Sequence, residues 1–370
     1  MLLPEDLPTL NPYVSTAFIA LQVTPAIIEP LVEVDADGQY QPVLVSEIPT
    51  RDNGGIGEEG LLITWRLRDG LLWSDGEPVT ADDVVFTYES ATATGSVRSG
   101  AFERVVSVEA IDDTTVQVRY SEFDSSYFDQ FQWGILPRHA AGAPEEIANW
   151  EFNREPVGTG PFALQSWSTG DRIVLTRNEN YHGEAYLDRV VFQVVPSEDT
   201  RAAMMTRGDA QRMLWPSATQ REIFQESPQT RYELVPSIWV LRMFLNLGER
   251  GNPTTGQDPH PVLGDQRVRQ AIAHGIDYDL LTEELAEGRV KRATSPFALG
   301  WYDCGTEGYA FDPERARALL DEAGWVDTDG DGVREAVGAQ WVRRTPPTVP
   351  RCGSRWSATP TSACWSRPSW

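Results

Sequence analysis

Lysine is almost missing from this chain: Lys291 stands alone against thirty arginines. Nothing in folding asks for that bias, and a GC-rich coding sequence accounts for it. Basic residues as a class are scarce too, 31 against 55 acidic ones, for a formal net charge of −24 at pH 7. A field of that sign repels phosphate backbones and anionic lipid headgroups, which puts nucleic acid and direct membrane-surface binding last among possible partners, and the plainer reading is that the acidity keeps the protein in solution. No apolar run approaches the roughly 18 residues a spanning helix needs. The start shows no charged segment followed by an apolar stretch, since Met1-Leu2-Leu3 runs directly into Pro4, Glu5 and Asp6, so no export signal is expected in this chain. Three cysteines, Cys304, Cys352 and Cys364, have no metal-ligand spacing, and an odd number cannot all pair within one chain.

What is present suffices for a folded protein of more than one domain. The 370 residues exceed the ~250–300 at which a single core stops growing. Apolar residues at 41% and aromatics at 10% are too abundant for a disordered chain. Composition breaks once, at Ala339. From there to Trp370 the chain holds five arginines, four tryptophans and two cysteines, no Asp or Glu, and no helical or alternating period. This stretch reads as out-of-frame translation, with a genuine basic tail as the alternative.

Alternating segments bounded by Gly and Asp turns predict strands over 61–68 and 114–120. Between them, Pro78 to Glu89 predicts a helix: Thr80 can cap it, Asp83 can reciprocate, and Val84, Val85 and Tyr88 form an apolar stripe. Further strands are expected at 172–176 and 189–195, the second apolar enough to be covered on both faces. An apolar run spans Ile238 to Leu247, and helices are expected over 265–274, 278–287 and 313–323. The last has Asp312 as cap, Pro313 at its first position and Gly324 as its stop. Strands mostly precede helices, so the fold class is α+β (mixed α/β) in several lobes.

No catalytic constellation stands out. His139, His182, His260 and His274 are far apart and in no metal-binding arrangement, and no G-x-S-x-G elbow occurs. Val157-Gly158-Thr159-Gly160-Pro161-Phe162 is glycine-rich but lacks the Gly-Lys-Ser/Thr of a phosphate loop, and Pro161 removes a donor such a loop needs. It reads as a turn. Asp327-Thr328-Asp329-Gly330-Asp331-Gly332 places carboxylates at positions 1, 3 and 5 of an EF-hand-like loop. Position 12 is Gly338, not a bidentate Glu, so calcium through Asp327, Asp329 and Asp331 is a weak expectation beside a plain Asp/Gly turn, and no other cofactor is expected.

Several segments in order resemble the extracytoplasmic solute-binding proteins of family 5, the dipeptide- and oligopeptide-binding components of ABC importers. They are Leu7-Pro8-Thr9-Leu10-Asn11-Pro12, then Ile28-Glu29-Pro30-Leu31-Val32, then the stretch from Leu67-Arg68-Asp69-Gly70 through Trp73-Ser74-Asp75-Gly76 to Phe86. Next come Pro156 to Phe162, Arg177-Asn178-Glu179-Asn180-Tyr181, Asp265 to Ala273 with Ile276-Asp277, and Asp312-Pro313-Glu314 with Ala323-Gly324-Trp325. Together they cover about residues 5 to 338.

The resemblance implies a periplasmic-binding-protein-like architecture of two lobes with an extra inserted domain. Residues 1–30 and 156–236 would form the first lobe, 31–155 the inserted domain, and 237–338 the N-terminal part of a second lobe left incomplete, followed by the aberrant tail 339–370. Family members continue well past the position of Gly338, and the groups that pair with a peptide's termini lie largely in that part. A second lobe without it would leave an apolar face uncovered. The implied function is not enzymatic: a substrate-binding component, lying in a periplasm or tethered as a cell-surface lipoprotein. It would close as a monomer on a peptide or other small solute and pass it to the permease subunits. A ligand sensor on the same fold and a non-functional truncated product are the alternatives. Tyr13, Trp133, Trp215 and Trp239 sit near the family's cleft-facing segments, where aromatic faces suit varied side chains; core packing is the other reading of each.

Overall fold

Alternation becomes sheet where the sequence shows it. In the computed structural model, which describes residues 1–35, 38–57, 59–233, 240–248, 260–286, 290, 292–295 and 305–339, strand β4 (Leu62–Arg66) buries Ile63 and Trp65 and turns the residues between them outward. The chain divides into two units, Met1–Leu234 and Val235–Trp370. Residues 340–370, and Trp239, lie outside the described residues.

The first unit holds two main sheets. A three-stranded antiparallel sheet orders β4, β6 (Thr115–Tyr120) and β5 (Val105–Ala110), with a bulge between Val105 and Ser107. Helix α1 (Ala81–Thr92) packs on it through buried Ala81, Val84, Phe86 and Ala91. A short hairpin, β2 (Val32–Val34) and β3 (Tyr40–Pro42), stands beside it in sequence. A four-stranded sheet orders β1 (Leu2–Leu3), β9 (Arg189–Val194), β8 (Arg172–Arg177) and β7 (Phe162–Ser168); β1 runs parallel to β9, and the other pairs are antiparallel. Strand β9 was expected to be covered on both faces, yet Phe192 alone is fully buried and Val190, Val191 and Val194 are half-buried. Its apolar run therefore reflects partial cover on each face.

One apolar core joins both sheets, from Leu3, Leu10 and Ile27 through Trp65, Trp73 and Phe131 to Ile173 and Leu175. The Gly158–Pro161 turn belongs to it: the Gly160 N–H donates to the Ile27 carbonyl at 2.8 Å, and a Cβ on Gly158 would lie 1.8 Å from that same oxygen. Two helices follow, α2 (Glu198–Arg207), capped by Ser197 and closed by Gly208 at φ 80°, and α3 (Ala218–Glu226), capped by Ser217.

In the second unit, α4 (Gln266–Gly275) meets α6 (Pro313–Glu322) through Val268, Ala271, Ala316 and Leu319, with Trp325 beside them. Asp312 caps α6 by accepting from the Arg315 N–H, as its sequence predicts. Helix α5 (Tyr278–Ala286) and the two-residue strands β10 (Trp325–Val326) and β11 (Glu335–Ala336) complete it. Residues 240–247 of the apolar run adopt no regular element, and Leu241 is 94% exposed and Phe244 82%.

Candidate functional site

Side-chain hydrogen bonds hold the segment from Thr9 to Ser15 in place. The Thr9 hydroxyl donates to the Asn153 carbonyl at 3.0 Å, the Asn11 amide donates to the Asn153 side-chain oxygen at 2.8 Å, and the Asn11 oxygen accepts from the Tyr13 N–H at 2.9 Å. Such short polar side chains hold an irregular backbone where no ladder can. Tyr13 is fully buried, and its hydroxyl donates to the Gly134 carbonyl at 2.7 Å. Burial raises the phenol's pKa far above its ordinary value, with the nearby Arg98 charge opposing. In this structure Tyr13 is a post that seats the segment and offers no open face.

Trp133 and Arg98 make the next layer. The guanidinium of Arg98 lies 3.6 Å above the Trp133 ring and donates to the carbonyls of Pro12 and Ser15, each at 3.0 Å. Partial burial lowers its pKa somewhat, Tyr13 opposing. One face of Trp133 is thereby covered by a cation that is itself locked to the backbone.

Trp215 differs from both. It is 55% exposed and, among the described residues, it is the single non-glycine residue with a positive φ, at 50°. A bulky side chain in that region is strained by about 1–2 kcal/mol. Its ring lies 4.9 Å from that of Phe18, tilted by 43°. A strained backbone holding an open aromatic face is the arrangement expected where a site is shaped in advance. Phe18 carries no motif, and the sequence reading passed over it; its adjacency to Trp215, 197 positions on, appears only in the fold. Trp239 lies outside the described residues.

The acidic loop closes on itself. Asp327 accepts from the N–H groups of Gly330 at 2.7 Å and Gly332 at 3.0 Å, and Asp331 accepts from that of Val333 at 2.8 Å. The β10–β11 pairing returns Glu335 to the loop, where its carboxylate takes both the N–H and the hydroxyl of Thr328, at 2.9 and 2.7 Å, and is held below its ordinary pKa by those bonds. The three carboxylates close enough to share a cation are Asp327, Asp329 and Glu335, with ligand oxygens within 4.8 Å of one another. Glu335 thus stands in the place the sequence reading gave to Asp331.

Among the described residues no helix is long and apolar enough to cross a membrane. Residues 40–356 match the family described as bacterial extracellular solute-binding proteins, family 5 (middle), a range that runs on into the arginine-rich tail. The oligopeptide-binding protein AppA of Bacillus subtilis is 28% identical over 294 residues, covering 76% of this chain and 52% of AppA. The chain spans about half the length of the curated relatives it matches. Among solved structures, NikZ of Campylobacter jejuni in complex with Ni(L-His) matches with a TM-score of 0.72 at 22% identity, over 90% of this chain and 64% of NikZ. AppA in complex with a nonapeptide matches with a TM-score of 0.70 at 23% identity, over 90% of this chain and 65% of AppA. The mixed α/β fold is the one these binding proteins share.

Proposed function

The chain belongs to family 5 of the bacterial extracellular solute-binding proteins, and from that membership we propose that it captures a peptide-like solute for an ABC importer. The family match over residues 40–356 carries this reading. The exposed, strained Trp215 ring beside Phe18 supports it as an apolar wall for a solute side chain. Binding of this kind needs no nucleophile and no proton transfer, so no catalytic role is assigned. The protein acts outside the cytoplasmic membrane, in a periplasm or tethered as a lipoprotein, as a monomer whose partners are the solute and the permease subunits. A peptide is preferred to a nickel complex because an aromatic pair recognises apolar side chains without metal ligands.

A thermal-shift series with di- to hexapeptides, oligosaccharides and Ni(L-His) tests this. A peptide is expected to raise the unfolding midpoint in proportion to the logarithm of its concentration, by mass action. A folded chain whose midpoint no peptide moves would sink the proposal, and a shift with Ni(L-His) alone would reassign the solute.

A further inference from the structure

The side-chain oxygen of Gln220 is buried without a donor. Gln220 is 3% exposed, and among the described residues no protein group donates to its Oε1. Folded proteins rarely leave a buried acceptor unmet, so the atom marks a place where a donor is wanted. Its orientation is fixed, because the other end of the amide is engaged: Nε2 donates to the carbonyl of Glu198, the first residue of α2, at 2.8 Å. Gln220 lies in the first turn of α3, where that helix meets α2. Between the two helices runs a groove of about 400 Å³ lined by Asp199, Ala202, Ala203, Thr206, Gln220 and Ile223.

The groove offers further acceptors. Asp199 is exposed and enters no ion pair among the described residues. The Thr206 hydroxyl has committed its proton to the carbonyls of Ala202 at 3.2 Å and Ala203 at 3.1 Å, which leaves its oxygen only lone pairs to offer. The hydroxyls of Ser217 and Thr219, which also line the groove, can accept as well. The positive pole of α3 is already covered, since the Glu198 carboxylate accepts from the Ser217 N–H at 3.1 Å. Ala202, Ala203 and Ile223, the last 45% exposed, supply the apolar part of the lining.

We propose that this groove binds a primary ammonium group carried on a short alkyl chain. The N–H bonds of such a group meet Gln220 Oε1 from α3 and the Asp199 carboxylate and Thr206 oxygen from α2, and its carbons lie against Ala202, Ala203 and Ile223. The volume falls at the small end of ligand sites, which span about 300–1,000 Å³, so the ligand is a small free amine. The proposal stands apart from the transport reading, because neither Trp215 nor Phe18 lines this groove.

Butylamine titrated calorimetrically into the full chain tests the site. It is expected to bind, while butyltrimethylammonium, which keeps the charge but has no N–H, is expected not to. Asp199→Asn removes the exposed carboxylate, Ala203→Leu fills the groove with a good helix former, and Gln220→Met removes the orphan oxygen at similar side-chain length. Each is expected to weaken butylamine about tenfold, with folding checked by circular dichroism melts. Should the buried substitution or the larger side chain lower the melt, Asp199→Asn alone decides. No binding of butylamine to the parent, equal binding of the quaternary ammonium, or undiminished affinity in a folded variant would overturn the proposal, and each would leave the solute reading as it stands.

Discussion

Glu29 and His182 are 153 positions apart in sequence, yet the Glu29 carboxylate and the His182 Nε2 meet at 2.9 Å with both side chains largely buried. Glu29 lies where the chain leaves the N-terminal segment for β2, and His182 lies in the loop between β8 and β9. The contact ties that loop to the crossing. Removing one partner of such a pair strands the other without its bond. Glu29→Ala is therefore expected to lower the unfolding free energy by about 2–3 kcal/mol, and Glu29→Gln, which keeps an acceptor, by about 1 kcal/mol. Urea titrations of both variants, and of each combined with His182→Ala, check this. Full additivity in the double variants would show that the contact contributes nothing.

Alkaline pH is expected to destabilise the first unit through its tyrosines. Burial pushes the Tyr127 phenol up to about 12, and burial together with the Glu29 charge does the same for Tyr181. The unfolded chain releases these protons near pH 10, while the folded chain keeps them until about pH 12. Stability is therefore fully present below pH ~10 and falls above it, by up to about 1.4 kcal/mol per pH unit for the buried Tyr127 and by less for the part-exposed Tyr181, where solvent screens the phenolate. Unfolding midpoints between pH 8 and 11, measured for the parent and for Tyr127→Phe and Tyr181→Phe, should show a shallower fall in each variant.

Gly158→Ala is expected to be severe, although it adds one methyl group. That methyl would overlap the Ile27 carbonyl, a backbone atom that cannot swing aside. A loss of about 3 kcal/mol or more is expected from this overpacking, read as a drop in soluble yield and in the denaturant midpoint. Gly170→Ala, where nothing lies within 4 Å but φ is 75°, should cost only the backbone strain, about 1 kcal/mol.

Trp215→Asn should separate stability from binding. Asparagine tolerates a positive φ, so relief of strain offsets the lost contact with Phe18, and stability should stay within about 1 kcal/mol of the parent. Affinity for a bound peptide should fall about tenfold, the worth of one aromatic contact. Calorimetry on the two proteins decides, and unchanged affinity would remove Trp215 from the solute site.

The sequence made legible those parts of the fold that are written locally. Thr80 and Asp83 mark the start of α1: Asp83 accepts from the Thr80 N–H at 2.9 Å, and it also reaches across to the Arg138 N–H at 2.8 Å, which no local pattern announces. Helix α2 went unread because small and polar residues blur its period, and α3 because Ile223 and Phe224 are its only large apolar residues, although Ser197, Gly208 and Ser217 marked their ends. At the candidate site, the aromatic type of Trp133 and Trp215 was visible, but not that Arg98 covers one and Phe18 supports the other. Tyr13 shares their chemistry and lies inside the core; residue type alone does not say which side of the backbone faces solvent. Glu335 joined the acidic loop only because a hairpin turns back there.

The pairing of β1 with β9 sets an order of events during synthesis. Leu2 and Leu3 are made about 190 residues ahead of their ladder partners, Gln193 and Val194. At about 5–20 residues per second, their place in the sheet does not exist until roughly 10–40 s after they emerge. For that interval two leucines destined for full burial have no native surface to join, and the first unit cannot settle in order from its N-terminus. Whatever acts on the chain while it is still unfolded, whether chaperone or export machinery, has that window in which to do so.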